Sequence, residues 1–184
     1  MSAQLRSTHP LILHPSQTSD FRNALQDFWI RAHAQFISNT LRLKYEWGGD
    51  SSLVLFPNSN LLSQRADLLW EHTCFEAFWS WDDQRRYWEL NASPSGDWNL
   101  YRFDDYRSGQ KREDQVVQIQ LERHPQSLDV HIDLTRIVEG EVSVLNLGLT
   151  AVIELQGGLK TYCAIAHESD RPDFHVRKSF FIQI

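Results

Sequence analysis

Apolar side chains return at every second position along most of this chain, and that spacing constrains its fold more than any other feature. In Leu41-x-Leu43-x-Tyr45-x-Trp47 the intervening Arg42, Lys44 and Glu46 are all charged, so one face is apolar and the other wet. Leu128, Val130, Ile132 and Leu134 alternate in the same way with Asp129, His131 and Asp133. A period of two is the pleat of a β-strand. Further strands are predicted at 52–56, 72–81, 87–93, 98–103, 116–123, 142–155, 160–167 and 179–184, the last with Phe180, Ile182 and Ile184 on one face. Residues 20–37 read two ways. Phe21, Leu25, Phe28 and Trp29 fit a helical face, whereas Phe28, Ile30, Ala32, Ala34 and Phe36 alternate. The expectation is a strand over about 28–37, entered from a loop or a single helical turn. Asn39-Thr40, Gly48-Gly49-Asp50, Glu139-Gly140-Glu141 and Gly157-Gly158 supply turns, the second folding 52–56 back as a hairpin partner. Residues 1–19, with two His-Pro pairs, read as an extended arm that adds an edge strand at Leu11–Leu13. The fold class expected is all-β: one antiparallel β-sandwich of the jelly-roll or immunoglobulin-like kind, a single domain over residues 1–184.

Charge and composition remove several function classes. A net charge of −6 lacks the basic face that a nucleic-acid binder needs, and it disfavours docking on anionic membrane. No apolar run approaches the roughly 20 residues of a membrane helix. Leu11-Ile12-Leu13 is far too short for a signal peptide's apolar stretch, so a cytoplasmic location is expected. Cys74 and Cys163 both sit in apolar runs and are expected to be free, buried thiols. Seven Trp, ten Phe and five Tyr fit either a β-rich core or a sugar-stacking face, and composition alone favours the core.

The chemistry concentrates between Leu69 and Arg107, which holds five of the seven Trp. Alternation in 72–81 puts Thr73, Phe75, Ala77, Trp79 and Trp81 on one face and His72, Cys74, Glu76, Phe78 and Ser80 on the other. In 87–93 it separates Trp88, Leu90 and Ala92 from Tyr87, Glu89, Asn91 and Ser93. A hairpin through Asp82-Asp83-Gln84 would bring the two polar sets onto one surface, where His72, Glu76, Glu89 and Asn91 converge. The next strand returns Tyr101 and Arg102 near the same rows. Carboxylates amid so many aromatics are costly to bury unless paired. Glu89 bridged to Arg102, or both carboxylates in solvent, is the plain structural reading, and ligand binding by at least one of them the functional one.

The run LWEHTCFEAFW, then YWELNASPSGDWNLYRFDDYR, with RPDFH before the last strand, resembles the bacterial DOMON-like domain family. That family is related to DOMON domains and to family-nine carbohydrate-binding modules. The resemblance implies a β-sandwich with a ligand site on a sheet face or its rim, and sugar or haem as ligand classes. By motif position it implicates Trp70, His72, Glu76, Glu89, Asn91, Trp98, Tyr101, Arg102, Asp173 and His175. Haem-binding relatives use a Met and a His, and Met1 is the sole Met here. That leaves a bis-His arrangement of His72 with His167 or His175.

Together these readings predict a non-catalytic module for a small ligand, most simply a saccharide, with Trp70, Trp98 or Tyr101 for stacking and Glu76, Glu89, Asn91 and Arg102 for hydrogen bonds. A haem or metal binder built on histidines is the alternative. An accessory domain or weak hydrolase acting on a cell-wall sugar is another. No cofactor is required, although haem or calcium is compatible, and an exposed edge strand permits a homodimer. Asp129-x-His131-x-Asp133 reads as a solvated face, since no further ligand is identifiable.

Overall fold

The computed structural model describes residues 8–59, 62–81, 84–138, 140 and 144–184. The expected arm over 1–7, the Asp82-Asp83 turn, and Glu139, Glu141 and Val142 lie outside them. The elements are β1 (Thr8–Leu13), α1 (Ser19–Ala24), β2 (Trp29–Ile37), β3 (Thr40–Gly48), β4 (Cys74–Trp81), β5 (Tyr87–Ala92), β6 (Trp98–Phe103), β7 (Lys111–Arg112), β8 (Gln120–His124), β9 (Ser127–Asp133), β10 (Leu145–Leu155), β11 (Leu159–Ala164) and β12 (Ile182–Gln183). The strands form one sheet in the order β7-β6-β5-β4-β10-β11-β1-β2-β3-β9-β8, every ladder antiparallel. β12 shares an edge of β10 with β11, pairing at Asn146 and Leu147 while β11 takes 150–155. The all-β, antiparallel class is as the period of two requires.

The sheet curls so that its two halves face each other. Tyr45 on β3 stacks on Phe75 of β4 at 4.9 Å, Trp47 on Phe75 at 5.2 Å, and Phe36 of β2 meets Trp81 at 5.6 Å. Ile30, Leu43, Val130 and Ile132 from one half and Ala77, Trp79, Leu90 and Leu149 from the other fill the core between them. The Tyr45 hydroxyl satisfies itself across the layers, donating to the backbone carbonyl of Glu76 at 2.6 Å.

Turn chemistry sets the registers. Ser38 and Asn39 both have positive φ, 50° and 59°, the conformation of a type I′ turn, and Ile37 pairs with Thr40 across it. The Pro125-Gln126 turn likewise sets His124 opposite Ser127.

Four expectations are corrected. Leu11–Leu13 is not an edge strand: β1 pairs with β2 through Thr8–Leu11 and with β11 through Ile12 and Leu13, joining the two halves. Residues 52–56 do not return along β3, because β2 and β9 already occupy both of its edges. They instead make one bridge, Val54 to Leu155. The strand expected over 116–123 is regular only from Gln120, although Val116 and Ile119 are buried in the core. Phe180 and Ile182 do not share a face: a short helical turn at Arg177–Ser179 sends Phe180 to a second apolar cluster, while Ile182 enters the main core.

Candidate functional site

β4 and β5 are buried on both faces. One face meets the main core through Phe75, Ala77, Trp79, Trp88 and Leu90. The other carries Glu76 and Phe78 on β4, Tyr87, Glu89 and Asn91 on β5, and Tyr101 and Phe103 on β6. The register sets Glu76 opposite Asn91 and Phe78 opposite Glu89. Val152 of β10 and Tyr162 of β11 extend this floor. Above it the chain after β11 brings Pro172, Phe174 and His175, the loop after β6 brings Arg107 and Gln110, and the turn Leu69–Glu71 brings Trp70. The cavity, open to solvent on one side, is about 350 Å³. That is the lower end of the ~300–1,000 Å³ usual for small-molecule sites.

A clasp holds the roof down. Asp173 accepts hydrogen bonds from the Tyr106 hydroxyl at 2.5 Å, from Arg107 Nη2 at 2.9 Å and from the His175 backbone N–H at 3.0 Å. Burial alone would raise the Asp173 carboxyl, but these donors hold it below its ordinary value. The Arg107 backbone N–H donates to the Tyr87 hydroxyl at 3.1 Å, and that hydroxyl lies 2.8 Å from His175 Nδ1. Since Tyr87 Oη accepts from Arg107, its own proton is free for Nδ1. The other ring nitrogen, Nε2, lies 3.9 Å from Glu89 Oε2.

Two carboxyls form the polar part of the floor. Glu89 Oε1 accepts from Asn91 Nδ2 at 2.8 Å, and Glu76 Oε2 accepts from the Thr150 hydroxyl at 3.3 Å. Desolvation raises Glu89 to about 7, against the Asn91 hydrogen bond and the Arg107 charge, which favour ionisation. Glu76 is raised well above its ordinary value, first by burial and then by the charge of Glu89. Burial, with the Arg107 charge adding to it, lowers His175 to about 4, so its imidazole is neutral at physiological pH. The floor thus offers two carboxyls whose neutral forms burial favours, with Glu89 close to half-ionised at neutral pH.

The ten residues singled out from sequence divide clearly. Trp70, Glu76, Glu89 and His175 line the cavity, and Asp173 ties its roof. Asn91 lies beneath, fully buried, orienting Glu89 and accepting from Cys74 Sγ. Tyr101 sits on the same face, but its hydroxyl is committed to Asp67 at 2.6 Å and its ring packs edge-on against Trp70. His72 is at the rim, 64% exposed and bonded to Glu154. Trp98 and Arg102 are on the opposite face, displaced by strand parity. Trp98 is buried in the main core beneath Arg65, and Arg102 Nε lies 3.9 Å from Asp104 rather than near Glu89. Trp47, Trp79, Trp81, Trp88 and Trp98 all belong to that core, so most of the Trp enrichment is packing. Lys160, Tyr162, Val152 and Arg107 complete the lining. Alternation marks none of them as site residues, because strand pairing between distant segments brings them there.

His72, His167 and His175 occupy three separate environments: the Glu154 rim pair, a contact with the Ile12 carbonyl and the His14 ring, and the cavity. Among the described residues no group of three or more His, Cys, Asp or Glu could hold a metal ion. Cys74 and Cys163 are free and buried.

Fold and site together define an all-β protein with a small-molecule pocket on the outer face of a curled antiparallel sheet. Its structure is similar to that of a protein from Bacteroides uniformis ATCC 8492 provisionally assigned to carbohydrate binding. The TM-score is 0.64 and the identity 13%, over 94% of this chain and 83% of that one. Two structures of a family 9 carbohydrate-binding module from Caldicellulosiruptor kristjanssonii, with glucose and with cellotriose, match at TM-scores of 0.45 and 10% identity. They cover 85% and 86% of this chain, and 73% and 71% of theirs, too distant a match to bear on the site. No protein-family model matches the chain, and no curated protein matches it in sequence.

Proposed function

We propose that this protein binds a small neutral saccharide, of about one sugar ring, in the cavity over β4 and β5. The observation that carries the reading is the pairing of Glu76 and Glu89 inside an aromatic enclosure of Trp70, Phe78, Tyr162 and Phe174. Sugar hydroxyls both donate and accept. A protonated Glu76 supplies a donor, and Glu89 an acceptor once ionised, while the rings cover the apolar C–H faces. The ligand-contacting set is then Trp70, Glu76, Glu89 and His175, with Asp173 and Asn91 positioning them. The Bacteroides uniformis protein of similar fold, and the resemblance of the Leu69–Arg107 run to DOMON-like domains of jelly-roll type, favour the same ligand class. Two buried free thiols suit a reducing, cytoplasmic setting, in which the ligand is a free saccharide rather than a polymer.

Isothermal titration with a panel of monosaccharides and disaccharides tests the proposal. Binding that Trp70→Ala weakens, with the melting temperature otherwise held, supports it. Binding that Trp70→Ala and Glu89→Ala leave untouched would move the site elsewhere, and no heat with any sugar would sink the saccharide reading.

A further inference from the structure

We propose that the cavity also interconverts the two anomers of a reducing aldose, with Glu89 as base and Glu76 as acid. This rests on the saccharide reading above. Opening a cyclic hemiacetal needs a proton taken from the anomeric hydroxyl and another given to the ring oxygen. Both oxygens are attached to the anomeric carbon, so an acid and a base side by side on one surface can reach both. Glycoside hydrolysis differs, since its two carboxyls flank the scissile bond. Here the two carboxyls rise from adjacent strands of one floor, diagonal in the ladder, with Asn91 opposite Glu76 and Phe78 opposite Glu89.

Each carboxyl is also half-anchored. Thr150 holds Glu76 Oε2 and Asn91 holds Glu89 Oε1, while Glu76 Oε1 and Glu89 Oε2 make no hydrogen bond to any described residue. Glu76 is 3% exposed and Glu89 6%, yet both line the cavity, so these free oxygens are what a ligand meets. Burial, and for Glu76 the charge of Glu89, favour keeping a proton on the pair, since like charges so placed do not both ionise readily.

In the step itself, the Glu89 carboxylate takes the proton of the anomeric hydroxyl. The electrons of that O–H bond form the carbonyl, the bond from the anomeric carbon to the ring oxygen breaks, and the ring oxygen takes the proton of Glu76. The product is the open-chain aldehyde, with Glu89 now protonated and Glu76 ionised. After rotation about the first carbon–carbon bond, the reverse step closes the ring on the other face and returns both protons. Nothing is oxidised or reduced, and no co-reactant is needed. His175 Nε2 lies 3.9 Å from Glu89 Oε2 and acts as a positioning group.

The experiment uses the full chain with freshly dissolved α-D-glucose, α-D-galactose and α-D-xylose, following optical rotation. Isothermal titration with the same sugars and their methyl glycosides runs in parallel. The expected result is mutarotation faster than in buffer, in proportion to protein, falling roughly 100-fold in both Glu76→Gln and Glu89→Gln. A methyl glycoside, with no anomeric proton to give, should bind without change in rotation. The acceleration should climb as pH rises through about 7, where Glu89 ionises in the field of Arg107, Lys160, His175 and Asp173. Sugar binding with rotation at the buffer rate overturns the catalysis and leaves the binding reading standing. Acceleration that survives both Gln variants overturns the assignment of the pair. No binding and no acceleration overturn both.

Discussion

Replacing Glu89 by Gln should make this protein more stable at pH 8. A carboxyl whose ordinary value is 4.5, raised in the fold to about 7, is favoured there in its neutral form. Its cost is absent below pH 4.5, grows as pH rises toward 7, and is constant beyond. At 1.36 kcal/mol per pH unit the full cost is about 3 kcal/mol. Glu89 is almost completely buried, so solvent screening does little to reduce it. Gln keeps an oxygen to accept from Asn91 and carries no charge to repel from Glu76. His175 contributes with the opposite sign. Lowered from 6.5 to about 4, it supplies stability that is complete above pH 6.5 and lost as pH falls through 4. Between pH 4.5 and 6.5 the two slopes oppose each other in the wild type, and the Gln variant should expose the His175 slope alone. Urea unfolding of both proteins at pH 5, 6, 7 and 8 gives the comparison. The variant should gain up to about 3 kcal/mol at pH 8, roughly 6–12 °C in melting temperature for a chain this size, and much less at pH 5. A variant no more stable than wild type at pH 8, or a difference that ignores pH, would refute the claim that Glu89 is held at a cost.

Tyr45→Phe should cost about 1 kcal/mol in urea unfolding, since it removes a buried hydrogen bond to the Glu76 carbonyl across the layers. An unchanged midpoint would mean the bond contributes nothing between the layers. Gly49→Ala should be worse than 2 kcal/mol, because φ is +78° and a Cβ would stand 1.6 Å from the Asp27 carbonyl oxygen. Normal expression and melting would contradict that geometry. Asp173→Asn should loosen the roof, raising amide exchange across 172–176 and 105–108 while β4 and β5 stay protected. Equal protection in both proteins would show that the clasp is not what closes the cavity.

Much of the fold was legible because alternation is local. In Leu41–Trp47, each residue's side is fixed by its neighbour, and the strand formed where the pattern lay. The same parity sorted Glu76 and Phe78 from Phe75 and Ala77 correctly. It was also enough to put Arg102 on the opposite face from Glu89, since Arg102 alternates with Tyr101. Grouping the two by proximity in sequence set that parity aside. What could not be read was pairing at a distance. Nothing in Leu11-Ile12-Leu13 says that it sits between β2 and β11. Nor does the Val116–Arg123 alternation reveal that regular pairing begins only at Gln120. The cavity suffers most from this, because Val152, Lys160 and Tyr162 arrive from strands far along the chain.

Both faces of β4 and β5 are covered, but they are covered for different reasons. The inner face carries large rings against the opposing half of the sheet, with the Tyr45 hydroxyl and the Glu113 carboxylate satisfied by hydrogen bonds within it. The outer face meets two loops and a short turn, and its apolar cluster is smaller: Phe78, Tyr87, Tyr101, Phe103, Val152, Ala164, Phe174 and Phe180. A purely structural cover would place another aliphatic side chain at 76 and at 89, where burial of a carboxyl is costly and an apolar residue of like volume is not. The chain instead keeps two carboxyls there and surrounds them with Asn91, Thr150 and His175. Stability lost at these positions is offset by the inner core of the same strands. Two buried carboxyls held side by side over one cavity are the feature of these strands that points to a ligand.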